Sequence, residues 1–279
     1  MNRFYLVIDL GTTQARACLV DRDGRIAAIQ YCPLTSYYPH PGWVEQDPLS
    51  LWRTVRELIA RVLAGTPAQR EISALALTNQ RGTVIVWEEE SGKPVYPAIV
   101  WQDRRQWEFV DVLRARPLYQ ELRRKTGVIP SSAQLISKLR WILDKVPHIR
   151  KRAEAGELMA GTPDTWLLWK MSGGKIQATD YSNAGITGLF NLETLTWDAD
   201  LLAKLAIPAQ MLARDVKPSA ASYGLTDPAT IGMEIPIAAV AGDQHAAMLG
   251  YGCIDSGQAQ VTIGTGAFLL INTGNQPRL

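Results

Sequence analysis

The chain has 279 residues, of which 47% are hydrophobic and 20% are charged, and it carries 29 basic against 27 acidic side chains. This composition is typical of a globular protein with a sizeable core and excludes fibrous and disordered classes. No stretch reaches the roughly 20 apolar residues of a membrane helix, and residues 1–9 read as a strand rather than a signal peptide, so we expect a cytoplasmic protein.

The first third of the chain predicts a mixed sheet. Apolar residues indicate three short strands that turns join into an antiparallel meander, at residues 4–9, 15–21 and 25–31. Asp47-Pro48 opens an amphipathic helix that continues to Leu63, and the apolar residues 72–78 follow as a buried strand. We therefore expect an α/β fold in which helices flank a mixed sheet.

The rest of the chain predicts a helix-rich middle and then a return to strands. Helical spacing favours three helices, near residues 102–116, 134–145 and 163–171. Thr162 is placed as the N-cap of the last one, with Pro163 at its first helical position. The end of the chain reads as strand, helix and two further strands, at residues 235–241, 243–249, 259–263 and 267–272.

Residues 102–152 are locally basic, with thirteen basic side chains against five acidic ones. One interpretation is a surface for an anionic polymer, and the other is a set of solvated helix faces. Apolar residues recur between the charges at roughly helical spacing, which favours the solvated faces. Because the whole chain is close to neutral, we expect no nucleic-acid partner.

Two turns rich in Gly and Thr separate pairs of strands and are candidate phosphate sites. The first is Gly11-Thr12-Thr13, with Arg16 close behind it, and the second is Gly264-Thr265-Gly266. Such turns expose backbone N–H groups and hydroxyls with no bulky side chain in the way. Plain hairpins use the same residues, so each turn alone predicts little. No Walker-type GxxxxGK[ST] pattern occurs.

Two aspartates follow apolar strands and are candidates for the chemistry. Asp9 stands directly before the first turn, where a carboxylate can hold a hydrated Mg²⁺ opposite phosphates, or simply cap the turn. Asp243 ends a strand and begins a helix, where it can take the proton of an attacking hydroxyl, or serve as an ordinary N-cap. The sequence by itself leaves both alternatives open.

A third candidate site combines polar groups with an aromatic side chain. Residues 78–83 end a buried strand with polar side chains that include Arg81, and Trp101 precedes a charged segment. A guanidinium and an aromatic face suit a polyol. The alternative is an exposed strand end beside a tryptophan of the core.

Taken together, these segments resemble the FGGY carbohydrate kinases, and among them the glycerol kinases. Eight segments match in the order of the family, namely Asp9-Leu10-Gly11-Thr12-Thr13, residues 42–48, Thr78-Asn79-Gln80-Arg81, residues 92–105, Asp164-Thr165-Trp166-Leu167, residues 179–184, Ala241-Gly242-Asp243-Gln244 and Gly264-Thr265-Gly266. The resemblance implies the ribonuclease H-like, actin-like ATPase fold. It also implies ATP with Mg²⁺ as the phosphoryl donor and a small polyol or sugar as the acceptor, without a membrane partner; relatives that oligomerise suggest a homo-oligomer.

The resemblance also implies a role for each matching residue. Asp9 would serve the Mg²⁺ and Asp243 would be the general base. The nucleotide phosphates would meet both turns, that is Thr12, Thr13, Arg16, Gly264, Thr265 and Gly266. The acceptor would be surrounded by Arg81, Trp101, Asp243, Gln244 and Phe268.

Two positions depart from the glycerol kinase pattern. The glutamate that the family has after the arginine is Gly82 here, and the pocket tyrosine aligns with Ala133. Two hydrogen-bond partners of the acceptor are therefore missing, which should change the acceptor that fits. We expect a pocket that admits a polyol or ketose of four or five carbons, and a pentulose kinase such as xylulokinase is one alternative. An actin-like nucleotide switch without an acceptor is another.

The motif positions predict the domain organisation. Residues 1–252 would form one actin-like domain, and residues 253–279 would be the first hairpin of a second such domain whose remainder is absent. We therefore expect the chain to fold but to have little or no kinase activity by itself.

Overall fold

The computed structural model describes residues 3–64, 72–263 and 266–275. Its strands in chain order are β1 (Phe4–Leu10), β2 (Gln14–Val20), β3 (Ile26–Pro33), β4 (Glu45–Gln46), β5 (Ile72–Asn79), β6 (Ile85–Glu88), β7 (Ala98–Ile99), β8 (Leu158–Gly161), β9 (Ala178–Asp180), β10 (Phe190–Asn191), β11 (Thr196–Trp197), β12 (Asp215–Lys217), β13 (Ala220–Leu225), β14 (Pro236–Gly242), β15 (Ala259–Ile263) and β16 (Ala267–Ile271). The helices are α1 (Pro48–Ala64), α2 (Trp107–Arg114), α3 (Leu118–Thr126), α4 (Leu135–Lys145), α5 (Ile149–Glu154), α6 (Pro163–Met171), α7 (Tyr181–Ala184), α8 (Ala199–Lys204), α9 (Pro228–Ile231) and α10 (Asp243–Gly250).

The centre of the fold is a six-stranded mixed sheet in the order β13-β14-β5-β1-β2-β3. The strands β1, β2 and β3 pair antiparallel as the predicted meander, and β5 then pairs parallel with β1. The strand β14 adds parallel to β5, and β13 adds antiparallel at the edge. The predicted α/β fold with a mixed sheet is confirmed.

The core forms on the faces of this sheet. Helix α1 buries the predicted stripe of Leu51, Val55, Leu58, Ile59 and Val62. These side chains belong to one apolar cluster with Leu6, Ile8, Leu10, Leu75 and Leu77 of the central strands. A second apolar cluster lies among the middle helices, around Leu135, Leu139 and Ile142 of α4. The sheet and both clusters fix the positions of the loops that leave its carboxyl edge.

The predicted helix at residues 102–116 is wrong at its start, because α2 begins only at Trp107. Asp103 instead accepts hydrogen bonds from the Val44 N–H and from Arg105. The Arg105 guanidinium is completely buried, at 2.8 Å from Glu45 and 3.7 Å from the centroid of the Trp43 ring. Burying this charge with its carboxylate partners holds the preceding residues in a loop.

Thr162 occupies the N-cap position of α6, and Pro163 follows it as predicted, but the Thr162 side chain makes no cap hydrogen bond. Its hydroxyl donates to the buried carboxylate of Asp164, whose other oxygen accepts from the Thr179 hydroxyl at 2.6 Å. Asp164 is fully buried, and burial raises the pKa of its carboxyl to about 7.

Many basic side chains of residues 102–152 are paired with carboxylates, Arg105 in the interior and the others at partly exposed positions. Ion pairs are made by Arg105, Arg114, Lys125, Arg140, Arg150 and Arg152. Lys125 alone lies within 3.1 Å of carboxylate oxygens from Glu121, Asp198 and Asp200.

The last two strands form a separate antiparallel hairpin, β15 with β16. Its outward side chains are apolar and exposed, namely Val261, Ile263, Leu269 and Ile271. Phe268 lies on the other face of the hairpin, and its ring meets Trp101. In the described part of the chain, no helix has the length and apolar character needed to cross a bilayer.

Candidate active site

The parallel strands β1, β5 and β14 deliver their carboxyl ends to one edge of the sheet. Asp9 is in register with Thr78, and Thr78 is in register with Ala241. The residues that follow β5 and β14 therefore come together beside Asp9. Ligands of open α/β sheets bind outside this edge, because the connecting loops there leave room for them.

Asp9, Arg81 and Asp243 make up the charged centre of this edge. The Arg81 Nε atom lies 3.8 Å from the Asp243 Oδ1 atom, and Arg16 lies 3.5 Å from Asp9. Burial raises the pKa of Asp9; Arg16 lowers it, and the charge of Asp243 raises it further. Two carboxylates that sense each other in a partly desolvated cleft favour a proton or a cation between them.

Asp243 is the first residue of α10, and Gly242 holds the N-cap position. The Asp243 carboxylate accepts from the Gln244 N–H at 2.7 Å. Burial raises its pKa, while the Arg81 guanidinium and this hydrogen bond lower it. A raised pKa makes the ionised carboxylate a stronger base toward an acceptor hydroxyl.

The first Gly/Thr turn is compact and places Thr12 at the cleft. The Gly11 N–H donates to the Gln14 carbonyl at 3.0 Å, and a Cβ at Gly11 would lie only 2.8 Å from that oxygen. Thr13 is exposed, and its carbonyl accepts from the Leu34 N–H. Glycine is therefore required at the start of the turn because a side chain would collide with the returning strand.

Trp101 and Phe268 form an aromatic pair on the other side of the cleft. Their ring centroids are 5.6 Å apart at an angle of 70°. A Cβ at Gly266 would lie 2.9 Å from the Phe268 ring and 3.5 Å from the Trp101 ring, so Gly266 also borders this pair. Gly264 and Thr265 lie outside the described residues.

A closed ring of hydrogen bonds joins this aromatic side to the first turn. The Gln46 Nε2 group donates to the Thr12 carbonyl at 2.8 Å, and its Oε1 atom accepts from Gln80 at 2.9 Å. The Thr83 hydroxyl donates to Gln80 Oε1 at 3.0 Å and accepts from the Trp101 N–H at 3.2 Å. Trp101 Nε1 then donates to Thr12 Oγ1 at 2.8 Å. We define these five residues as the polar ring.

A second network supports the end of β14. The Asp180 carboxylate accepts from the hydroxyls of Ser182 and Ser219 at 2.6 and 2.7 Å. Ser182 Oγ in turn accepts from the Gly242 N–H at 2.7 Å. A Cβ at Gly242 would lie 2.2 Å from Arg81 Cδ, so only glycine lets the arginine lie against this strand. The network therefore fixes Asp243 relative to Arg81.

Polar atoms in the cleft remain without partners in the described part of the chain. Arg81 Nε, Gln244 Oε1 and Thr78 Oγ1 are buried and have no hydrogen-bond partner. Buried polar atoms are nearly always paired, so this concentration is typical of a site that a ligand completes.

Gly82 and Ala133, the two departures from the family pattern, are in contact. A Cβ at Gly82 would lie 2.3 Å from the Ala133 carbonyl oxygen. The space expected beside Gly82 is therefore occupied by a backbone carbonyl.

The donor set fits a magnesium ion held mainly by other ligands. Among the described residues, no group of three or more His, Cys, Asp or Glu side chains is arranged to hold a metal. Mg²⁺ is commonly bound through one or two carboxylates together with water and substrate phosphates. Asp9, beside Asp243 and with its pKa raised by burial, provides such a carboxylate.

The structure brings together nine of the predicted site residues at this cleft, namely Asp9, Thr12, Arg16, Arg81, Trp101, Asp243, Gln244, Gly266 and Phe268. Sequence reasoning missed Gln46, Gln80 and Thr83 of the polar ring. Gln80 and Thr83 stood within the predicted polar strand end, but no local pattern indicated that Gln46, 34 residues away, would pair with Gln80.

Comparison with known proteins places the chain in a family. The glycerol kinases of Petrotoga mobilis and Carboxydothermus hydrogenoformans are 46% and 48% identical over 99% of this chain, and the matches cover 56% and 55% of those relatives. The solved structure of Plasmodium falciparum glycerol kinase with ADP is 31% identical with a TM-score of 0.93, covering 99% of this chain and 55% of that one.

The chain thus spans about half the length of the curated relatives that it matches. The likeness to the solved structure confirms the expected ribonuclease H-like, actin-like fold. Residues 4–250 match the family model for the N-terminal domain of the FGGY family of carbohydrate kinases. This chain belongs to the FGGY family of carbohydrate kinases.

Proposed function

We propose that the chain carries the acceptor site and the general base of an enzyme that transfers the γ-phosphoryl group of ATP to a hydroxyl of a small polyol. The observation that carries this proposal is the position of Asp243. Its carboxylate lies 3.8 Å from Arg81, on the sheet edge that also presents Asp9. A base, an anchoring cation and a second carboxylate at one point are what phosphoryl transfer to an alcohol requires.

In this mechanism the acceptor lies between Arg81 and the aromatic pair. Arg81 and Gln244 supply the hydrogen bonds that their buried atoms lack, and the rings of Trp101 and Phe268 cover the carbon skeleton. Asp243 takes the proton from the attacking hydroxyl as the oxygen bonds to phosphorus. Arg81 favours the ionised form of the carboxylate, because its positive charge opposes the raising effect of burial on the pKa of Asp243.

The phosphates of the nucleotide lie at the first turn. The Thr12 and Thr13 hydroxyls and the Arg16 guanidinium would bind phosphate oxygens, and the family resemblance adds Gly264, Thr265 and Gly266 as further phosphate contacts. Asp9 would hold Mg²⁺, which neutralises the charge that builds up on the phosphates. Relatives named glycerol kinase, one of them solved with ADP, support this assignment.

The acceptor class that we propose is a neutral polyol or ketose of three to five carbons. Gly82 and Ala133 lack the side-chain partners of the glycerol kinase pattern, which weakens the requirement for glycerol itself. The side chain of Ala133 is short, and a longer acceptor would extend toward it. A turnover panel of glycerol, erythritol, xylitol and xylulose tests this class, and a clear preference for glycerol over every longer acceptor would limit it to the triol.

The decisive test is Asp243→Asn, which preserves the shape of the side chain and removes the base. Because the chain spans about half of its relatives, the assay uses the chain alone and a fusion to the remaining part of a relative. We expect the substitution to reduce acceptor-dependent ADP release at least a hundredfold and to leave nucleotide affinity within twofold. Asp111→Asn, at an exposed ion pair, is the control. Near-normal transfer by Asp243→Asn would refute the assignment of the base, and ADP release that needs no acceptor would indicate a nucleotide switch instead.

A further inference from the structure

Gly82, Ala133 and Trp101 meet at one point of the acceptor side. A Cβ at Gly82 would lie 2.3 Å from the Ala133 carbonyl oxygen and 3.4 Å from Trp101 Cβ. The Gly82 backbone is also left-handed, with φ of 76°. A side chain at this position is thus opposed both by space and by backbone conformation. The Ala133 carbonyl therefore occupies the space that a side chain at residue 82 would need.

The loop that carries this carbonyl, residues 131–134, is fixed by two buried side chains from outside it. Lys138 Nζ donates to the Ser132 carbonyl at 2.5 Å. Gln106 Nε2 donates to the same oxygen at 3.0 Å. Lys138 comes from α4 and Gln106 from the N-cap position of α2. The loop is therefore attached to two helices immediately beside Ala133.

The loop is also rigid within itself. Gln134 Oε1 accepts from both the backbone N–H and the hydroxyl of Ser131. The Ser131 hydroxyl oxygen then accepts from the Ala133 N–H at 3.2 Å. Each of these bonds limits rotation of the peptide units around Ala133, so its carbonyl has a defined position.

Lys138 is a buried group that the proposed mechanism does not use. Its side chain is completely buried, and burial lowers the pKa of its amine to about 7. Placing an amine in the interior is unfavourable unless its hydrogen bonds are made. The two bonds recorded for Lys138 Nζ go to carbonyls of residues 132 and 134. Its contacts therefore serve the loop.

The Ala133 carbonyl itself has capacity for a ligand. Within residues 72–263, no protein donor reaches its oxygen. Ala133 is only partly buried, so the loop that carries it is not closed off from the surface. A carbonyl offers two lone pairs and no charge, and it suits the hydroxyl of a neutral acceptor.

We propose that the loop of residues 131–134 determines acceptor selectivity, with the Ala133 carbonyl oxygen accepting a hydrogen bond from one acceptor hydroxyl and with Lys138 and Gln106 as its positioning residues. This inference rests on the proposed function and names how that site recognises its acceptor. An acceptor that lacks the matching hydroxyl leaves the carbonyl unpaired in a partly desolvated site, and is discriminated against about tenfold or more.

The test compares the selectivity of four proteins for glycerol over propane-1,2-diol and propane-1,3-diol, each of which lacks one hydroxyl. The proteins are the unchanged chain, Lys138→Met, Gln106→Met and the control Lys145→Met, an exposed lysine on the same helix α4. Values of kcat and KM are measured on the fusion described above. Thermal unfolding establishes that each variant is folded, and two independent positioning variants protect the test against one failing to fold.

We expect glycerol to be preferred over at least one diol by about tenfold in the unchanged protein and the control. In Lys138→Met and Gln106→Met, this preference falls at least threefold through the KM of the acceptor, while the KM of ATP stays within twofold. Folded variants whose preference is unchanged would overturn the inference and leave the proposed function intact. An unchanged protein that phosphorylates no polyol would overturn both.

Discussion

Trp101 Nε1 donates a hydrogen bond of 2.8 Å to Thr12 Oγ1. This bond connects the aromatic pair on one side of the cleft with the Gly/Thr turn on the other. Because the Thr12 oxygen accepts from the indole, its own hydrogen is left to donate elsewhere. Trp101, which would face the acceptor, therefore also orients the Thr12 hydroxyl, which would face the phosphates.

Replacing Trp101 with phenylalanine removes this donor and keeps an aromatic ring beside Phe268. We expect Trp101→Phe to lower kcat/KM for ATP about fivefold, equivalent to about 1 kcal/mol, because the Thr12 hydroxyl loses its fixed orientation. Steady-state kinetics on the fusion measure the effect. Trp107→Phe, at a tryptophan that is 58% exposed, is the control. A normal kcat/KM for ATP in Trp101→Phe would show that the bond does not orient Thr12 for the nucleotide.

Arg81 sets the pH range in which Asp243 acts. Its guanidinium lowers the pKa of Asp243 against the raising effect of burial. Without this charge the Asp243 carboxyl protonates at higher pH, and only its ionised form accepts a proton from the acceptor. We expect Arg81→Met to move the acid side of the kcat profile upward by about one pH unit.

Arg81→Lys preserves the charge and serves as the matched variant. The acid side of its kcat profile should lie closer to that of the unchanged protein than the acid side of the Arg81→Met profile does. Equal profiles for both variants would mean that Arg81 acts through contacts rather than charge.

The buried Arg105 stabilises the loop before α2. Its guanidinium lies 2.7 Å from Asp103 and 2.8 Å from Glu45, and its side chain is fully buried. Removing it takes away the ion-pair partner that both carboxylates share in the interior. We expect Arg105→Leu to lower the free energy of unfolding by about 3–5 kcal/mol.

Urea denaturation measures this loss, and Arg104→Leu, at an exposed neighbour, should change stability by less than about 0.5 kcal/mol. An Arg105→Leu protein as stable as the control would show that the interior tolerates the two carboxylates alone.

Asp164 gives the folding stability a pH dependence. Its pKa is about 7 in the folded protein against an ordinary value of 3.8. Between these values the folded state holds a proton that the unfolded state has released. The contribution of Asp164 to stability is therefore fully present below about pH 4 and is lost as the pH rises to about 7.

Asp164→Asn removes this titration and keeps the shape of the side chain. Unfolding midpoints measured from pH 4 to pH 8 should fall less steeply with rising pH in the variant. Asp227→Asn, an aspartate whose pKa is lowered by the ion pair with Lys175, is the comparison, and it should not flatten this decline. Parallel curves for Asp164→Asn and the unchanged protein would contradict the assignment.

Periodicity predicted those parts of the fold that one segment determines by itself. Helix α1 buries the residues that its apolar spacing selects, and β1, β2 and β5 lie within one or two residues of their predicted bounds. Helix α3 was missed, because its apolar residues are few among the charges of Arg123, Arg124 and Lys125. The late start of α2 was missed because it depends on the burial of Arg105 among distant residues.

The sequence predicted the parts of the candidate site that consist of charged residues or glycine-rich motifs. It missed the hydrogen bonds between neutral side chains that are far apart in the sequence. The positions of Asp9, Arg81 and Asp243 at strand ends follow from local patterns and parallel pairing. The contact of Gly82 with the Ala133 carbonyl could not be read from side-chain identities, because it places a backbone atom where a side chain was expected. The domain boundary after residue 252 and the weak activity of the isolated chain stay predictions.

The polar ring contains no group that gains or loses a proton in the working range of an enzyme. It consists of two amides, two hydroxyls and an indole, each paired within the interior. Neither acidity nor salt therefore weakens the connection between the two sides of the cleft. A change in catalytic rate with pH then has its origin in titrating groups outside this ring.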